Sequence, residues 1–168
     1  MSGRGLTSAL FSTQDADGVV AVSQAVASRV AVGKARVIYA GLSVAPVAPS
    51  RSRYGTEIVI GTAGRLVELK RIEYLLNAAV ALRREFPTLR VEIAGSGSQH
   101  EKLEAAIVLA GLGECVKFLD GIDDIRPVLS RWDVFVTPSL EEGFSIAALD
   151  AVAAGLPVVA TAVGGVPG

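Results

Sequence analysis

One cysteine, one histidine, one methionine and one tryptophan occur in 168 residues, and each scarcity removes a kind of chemistry. Cys115 has no partner with which to form an intramolecular disulfide or a cysteine metal cluster, so a buried, inert thiol is its expected state. His100, in the polar stretch Gly97-Ser98-Gln99-His100-Glu101, has no second histidine and no nearby cysteine to pair with, and a surface or helix-cap role is expected for it. Long apolar runs are also missing. Hydrophobic residues make up 51% of the chain and the mean hydropathy is +0.48. Yet the longest runs, 18–32 and 155–166, are interrupted by Ser, Gln, Arg, Pro, Thr or Gly. Neither reaches the about 18 uninterrupted apolar residues of a membrane span. The apolar stretch after Arg4 is broken by Thr7 and Ser8 and does not read as a signal peptide, so a cytoplasmic location is expected. An excess of charge is lacking too. With 16 basic and 17 acidic side chains the formal net charge is −1, which gives no general attraction to nucleic acid or to an anionic membrane. Any phosphate binding must come from local groups.

What is present is an alternation of short β-branched runs and amphipathic segments, the pattern of an α/β fold with a parallel sheet buried on both faces by helices. The length suits one full domain, or one domain and part of another. Residues 18–22 read as a strand, Ser23 as the cap of a helix running to about Val32, and 36–40 as a second strand. Residues 41–54, with Pro46, Pro49 and several serines among small residues, have the composition of a linker. A new sheet then opens at 57–61. Helices are expected over 71–86, 101–110, 125–131 and 144–154, and strands over 89–94, 116–119, 132–136 and 158–160. Ile72, Leu75, Leu76, Ala79, Leu82 and Phe86 form the apolar stripe of the first of these helices, with Arg83, Arg84 and Glu85 turned mostly to water. The expected domains are 1–42, 43–55 as the linker, and 56–168.

Two segments carry chemistry. Residues 138–151, PSLEEGFSIAALDA, place the carboxylates of Glu142 and Asp150 eight positions apart across a glycine turn and a short apolar helix. Gly143 and Phe144 are expected at the helix N-terminus, where free backbone N–H groups and the helix dipole favour an anion. Residues 61–70, GTAGRLVELK, lie where the first strand of the new sheet ends, the end at which open parallel sheets bind ligands. There Arg65 can fork onto phosphate oxygens and Lys70 can add a mobile point charge, neutralising a diphosphate without a metal. The glycine pair Gly95-Ser96-Gly97 lacks the third glycine and spaced acid of a dinucleotide fingerprint, which argues against an oxidoreductase domain.

The acidic segment resembles the signature of the retaining glycosyltransferases of family four, which have the two-lobed GT-B fold. That signature is Pro-Ser, a short gap, Glu-Gly-Phe-Gly, a second Glu eight residues after the first, then Ala-x-Ala-x-Gly-x-Pro-Val-Val. Glu142, Gly143, Phe144, Ala151, Ala153, Gly155, Pro157, Val158 and Val159 match it, while Ser145 replaces a glycine and Asp150 replaces the second glutamate. The shorter acid pulls its carboxylate back by about 1.5 Å. Gly64-Arg65-Leu66 and Lys70 are similar to the family's Gly-Arg-Leu-x-x-x-Lys element.

The resemblance implies one Rossmann-like lobe of a GT-B enzyme, preceded by the end of the other lobe, with most of the acceptor-binding lobe and the end of the donor lobe outside this sequence. It implies a nucleoside diphosphate sugar as donor, an acceptor of unknown identity, no metal, and peripheral membrane contact only through the lobe that is not here. Arg65, Lys70 and Glu142 are the implied catalytic residues. Gly64, Gly143, Phe144, Ser145, Ile146 and Asp150 are the implied donor-binding ones, with Glu142 on the sugar and Asp150 on the ribose. A non-catalytic nucleotide-sugar-binding or assembly subunit of the same fold is the alternative.

Overall fold

The computed structural model describes residues 17–29, 35–42 and 57–167. The first two of these segments form a small unit: β1 (Val19–Ala21) and β2 (Ala35–Val37) pair in parallel, and α1 (Gln24–Ala27) lies between them in sequence. Ser23 caps α1 as expected, its hydroxyl accepting from the Val26 N–H at 3.2 Å. The helix closes at Ala27 with Ser28 as C-cap, short of Val32. The expected linker at 43–55 lies outside the described residues.

The main unit holds β3 (Val59–Ala63), a 3-10 turn at Glu68–Lys70, α2 (Ile72–Glu85), β4 (Arg90–Ala94), α3 (His100–Leu109) and β5 (Val116–Leu119). It continues with α4 (Arg126–Leu129), β6 (Val134–Thr137), α5 (Ile146–Ala153) and β7 (Val158–Ala160). The strand order is β5-β4-β3-β6-β7 and every pairing is parallel. This is the α/β Rossmann-like sheet read from the sequence. The order reverses between β3 and β6, so their carboxyl ends flank the crevice in which sheets of this kind hold ligands.

The two faces of the sheet bury separate cores. On one, Ile72, Leu75, Leu76 and Ala79 of α2 and Leu103 and Ile107 of α3 pack on Ile60, Val91 and Ile93. On the other, Val128 and Leu129 of α4 and Ala151 of α5 pack with Val59, Phe135 and Trp132. Gly61 allows the second core to close: a Cβ there would lie 1.9 Å from the Trp132 ring, so the indole rests directly on the β3 backbone. Glu92 fixes that ring from β4, accepting from Trp132 Nε1 at 2.7 Å.

Two side chains on α2 depart from the expected helix face. Phe86 is the C-cap rather than the last turn of the stripe and is 41% exposed. Arg83, expected mostly in water, donates to the Gly111 carbonyl at 2.7 Å and ties α2 to the end of α3. At the end of α5 the glycine-then-proline stop forms as expected, with Gly155 N–H donating to Val152 O and Leu156 N–H to Ala151 O.

Candidate functional site

β3 runs into Gly64 and Arg65, which are laced to the turn after β4. Gly64 N–H donates to Ala94 O at 3.0 Å and Leu66 N–H to Ser96 O at 2.8 Å. At Gly95 a Cβ would fall 1.9 Å from Gly64 O, so only glycine lets the two turns meet backbone to backbone. Arg65 stands exposed on this platform and makes no ion pair among the described residues. Lys70 ends the 3-10 turn. The next residue, Arg71, holds a left-handed φ of 48°, a conformation that costs a non-glycine residue about 1–2 kcal/mol and here turns the chain into α2.

From the other side of the crevice, β6 ends in Thr137 and leads through Ser139 to Glu142. Lys70 Nζ lies 2.5 Å from Glu142 Oε2, an ion pair across the reversal point of the sheet, with side chains 21% and 10% exposed. Ser139 Oγ donates to the same Oε2 at 3.2 Å. Leu140 N–H donates to Leu69 O at 2.8 Å, so the Lys70 and Glu142 loops are also joined through their backbones.

Glu142 is held from behind by the segment that follows β7. At Gly164 a Cβ would lie 1.4 Å from Glu142 O, and Gly165 N–H donates to that oxygen at 3.3 Å. The small N-terminal unit packs on the same loop: Tyr39 and Phe144 rings sit 5.9 Å apart, Arg29 pairs with Glu141, and Gly143 faces Val22 and Val26.

α5 starts two residues later than its sequence pattern suggests. Phe144 and Gly143 precede the helix, and Ser145 is its N-cap, accepting from the Ala148 N–H at 3.3 Å. A hydroxyl at the position of the expected glycine supplies the cap that ends the helix there. The free N–H groups at this terminus therefore belong to Ile146 and Ala147.

These elements enclose a cleft of about 540 Å³. Gly64, Arg65, Lys70, Glu142, Phe144, Ser145, Ile146 and Asp150 all line it; Gly143 does not, its Cα being turned to the N-terminal unit. The acidic turn Asp123-Asp124 also lines the cleft and had no signal in the sequence beyond its charge. Arg126 forks onto Asp124 with two contacts of 2.8 Å, which holds that carboxyl below its ordinary pKa. Asp150, one turn into α5, shifts the other way. Burial raises its pKa, Arg126 pulls it down and Asp124 pushes it up.

A second cavity, of about 480 Å³, lies at the amino ends of the strands, and both of its arginines are already paired: Arg90 with Glu57 at 3.2 Å and Arg131 with Glu92 at 2.9 Å. Cys115, in the wall of that cavity, is buried as expected, and burial pushes its thiol up. His100 is the first residue of α3, one position past the N-cap Gln99; its side chain is partly exposed, with its ring tilted against Phe118 at a centroid distance of 4.2 Å. Among the described residues no group of three or more His, Cys, Asp or Glu could hold a metal ion, and no helix is long and apolar enough to cross a membrane.

Residues 57–168 match the profile of the family glycosyl transferases group 1. The chain belongs to that family. It is 31% identical over 166 residues to a phosphatidylinositol N-acetylglucosaminyltransferase subunit of Arabidopsis thaliana, covering 94% of itself and 37% of that protein. It is 40% identical over 121 residues to the D-inositol 3-phosphate glycosyltransferase of Saccharomonospora viridis, covering 66% of itself and 28% of that protein. The chain thus spans well under half the length of these relatives. Among solved structures it is similar to Anabaena HepE in complex with UDP and glucose, with a TM-score of 0.77 and 26% identity over 88% of this chain and 45% of that one. The pneumococcal O-GlcNAc transferase GtfA, in complex with UDP and GlcNAc, gives a TM-score of 0.68 and 25% identity over 77% of this chain and 26% of that one. The architecture is that of a GT-B lobe.

Proposed function

We propose that this chain is the donor-binding part of a retaining glycosyltransferase and that its donor is a UDP-sugar. The Lys70–Glu142 pair across the reversal point of the sheet is the observation that carries the reading, because it sets a cationic and an anionic group side by side where a sugar diphosphate must present both phosphate and hydroxyls. Support for uridine comes from the two UDP-bound neighbours.

Arg65, Lys70 and the N–H groups of Ile146 and Ala147 would face the diphosphate and stabilise the charge that grows on it as the sugar–oxygen bond breaks. No metal is required for that role. Glu142 would orient the sugar through its hydroxyls and Asp150 would hold the ribose; neither is given a nucleophile's part. The acceptor site belongs to the other lobe, and the enzyme works in the cytoplasm, where peripheral membrane contact would be made by that lobe.

Calorimetry with UDP, UMP and NAD tests the reading. UDP should bind more tightly than UMP, and NAD not measurably. Equal affinities for UDP and UMP would remove the diphosphate site, and preference for NAD would make this an oxidoreductase domain. Donor binding with no transfer even after the acceptor lobe is supplied would favour the non-catalytic role.

A further inference from the structure

Ser139 and Thr137 are the buried polar side chains nearest the site, 2% and 6% exposed. Hydroxyls placed so deeply are costly unless they are bonded, and both are bonded in a line that ends on one carboxylate oxygen. Ser139 Oγ donates to Glu142 Oε2 at 3.2 Å, so the contact between the two hydroxyls, also 3.2 Å, must have Thr137 as its donor. The Ser139 backbone is itself clamped: Thr161 donates its hydroxyl to the Ser139 carbonyl, and Leu140 N–H reaches the Lys70 loop at Leu69 O, 2.8 Å away. Among the described residues the only other group on Oε2 is Lys70 Nζ, at 2.5 Å, and none bonds Oε1.

A donor diphosphate that takes Lys70 leaves Ser139 as the one described protein group still bonded to the Glu142 carboxylate. Resting on the donor reading above, we infer that Ser139, supported by Thr137, is a positioning residue that anchors Oε2 of Glu142 and so presents Oε1 to the hydroxyls of the donor sugar. Ser139 touches neither phosphate nor sugar. It sets where the sugar-binding acid points, and its effect is confined to ligands that carry a sugar.

The test compares UDP with UDP-glucose and UDP-N-acetylglucosamine by calorimetry on the wild-type chain and on Ser139→Ala, Ser139→Thr and Thr137→Val. The quantity read is the ratio of the sugar-nucleotide affinity to the UDP affinity. Ser139→Ala should lower that ratio by about ten- to hundredfold, the effect of one hydrogen bond to a charged group, with UDP affinity nearly unchanged. Ser139→Thr, which keeps the hydroxyl, should restore it. Thr137→Val should lower it by a smaller factor and serves if Ser139→Ala does not fold. Parallel losses for UDP and sugar nucleotides, or an unchanged ratio, would overturn the role given to Ser139 while leaving the donor site standing. A wild-type chain that binds none of the three ligands would instead overturn the donor reading, and the role of Ser139 with it.

Discussion

Replacing Glu142 with glutamine should tighten UDP binding even though it alters a residue of the cleft. Glu142 occupies the ammonium of Lys70 at 2.5 Å, and both side chains are largely shielded from solvent. A diphosphate must displace that carboxylate and also sit beside its charge. Glutamine keeps the size and an oxygen that can accept from Ser139, but it gives up a charge-assisted hydrogen bond of about 1.5–3 kcal/mol. The unliganded chain loses that contribution, whereas the UDP complex, in which Lys70 faces phosphate, does not. The difference appears in the affinity, and at 1.4 kcal/mol per decade it amounts to about a ten- to hundredfold tighter complex. Repulsion removed between Glu142 and a phosphate about 6 Å away, about 3 kcal/mol at an effective dielectric of 20, acts in the same direction and draws on the same charge. Thermal melts and calorimetry together give the answer: Glu142→Gln should melt lower than wild type without ligand and recover most of the deficit with UDP. Unchanged or weaker UDP affinity in a folded Glu142→Gln chain would show that Lys70 is not the phosphate's partner.

Arg65→Ala should weaken UDP binding by about ten- to hundredfold, a lost charge-assisted contact, while Arg83→Ala, which removes a tie between α2 and Gly111, should lower the melting temperature and leave affinity alone; matched titrations compare them. Asp150 carries a pKa raised by burial, so the folded chain holds its proton to higher pH than the unfolded chain and stability falls as pH rises through the interval just above the ordinary carboxylate range. Asp150→Asn should therefore stabilise the unliganded chain at pH 7, with a gain that shrinks as pH drops into that range, and denaturant titrations at pH 4 and 7 showing no such trend would contradict the raised pKa of Asp150. Gly61→Ala drives a methyl into the Trp132 ring; it should destabilise by at least the about 1–3 kcal/mol of overpacking, visible as a lower denaturation midpoint.

Elements set by local pattern were legible before the structure. The periodicity of α2, the β-branched runs of β3, β4 and β6, and the Gly155–Pro157 stop all depend on neighbours within a few residues. The expected cleft residues other than Gly143 were likewise found together, because strand ends in a parallel sheet converge at one edge. What escaped notice depends on contacts between distant segments. Lys70 and Glu142 are 72 positions apart, and nothing in either segment foretells their pairing. Gly164 reads as an ordinary loop glycine until its close approach to Glu142 is seen. Ser145 reads as a lost glycine, and only its φ of −87° and its bond to Ala148 identify it as a cap. Arg83 escaped because its partner carbonyl lies beyond another helix.

A crystal structure of the chain soaked with UDP-glucose tests the central claim most directly. The account predicts the nucleotide in the cleft between β3 and β6, the diphosphate within hydrogen-bond reach of Lys70 and Arg65, the Lys70–Glu142 pair opened, and a sugar hydroxyl on Glu142. A nucleotide bound at the amino ends of the strands, beside Arg90 and Lys117, or one in the cleft with the Lys70–Glu142 pair intact, would contradict it.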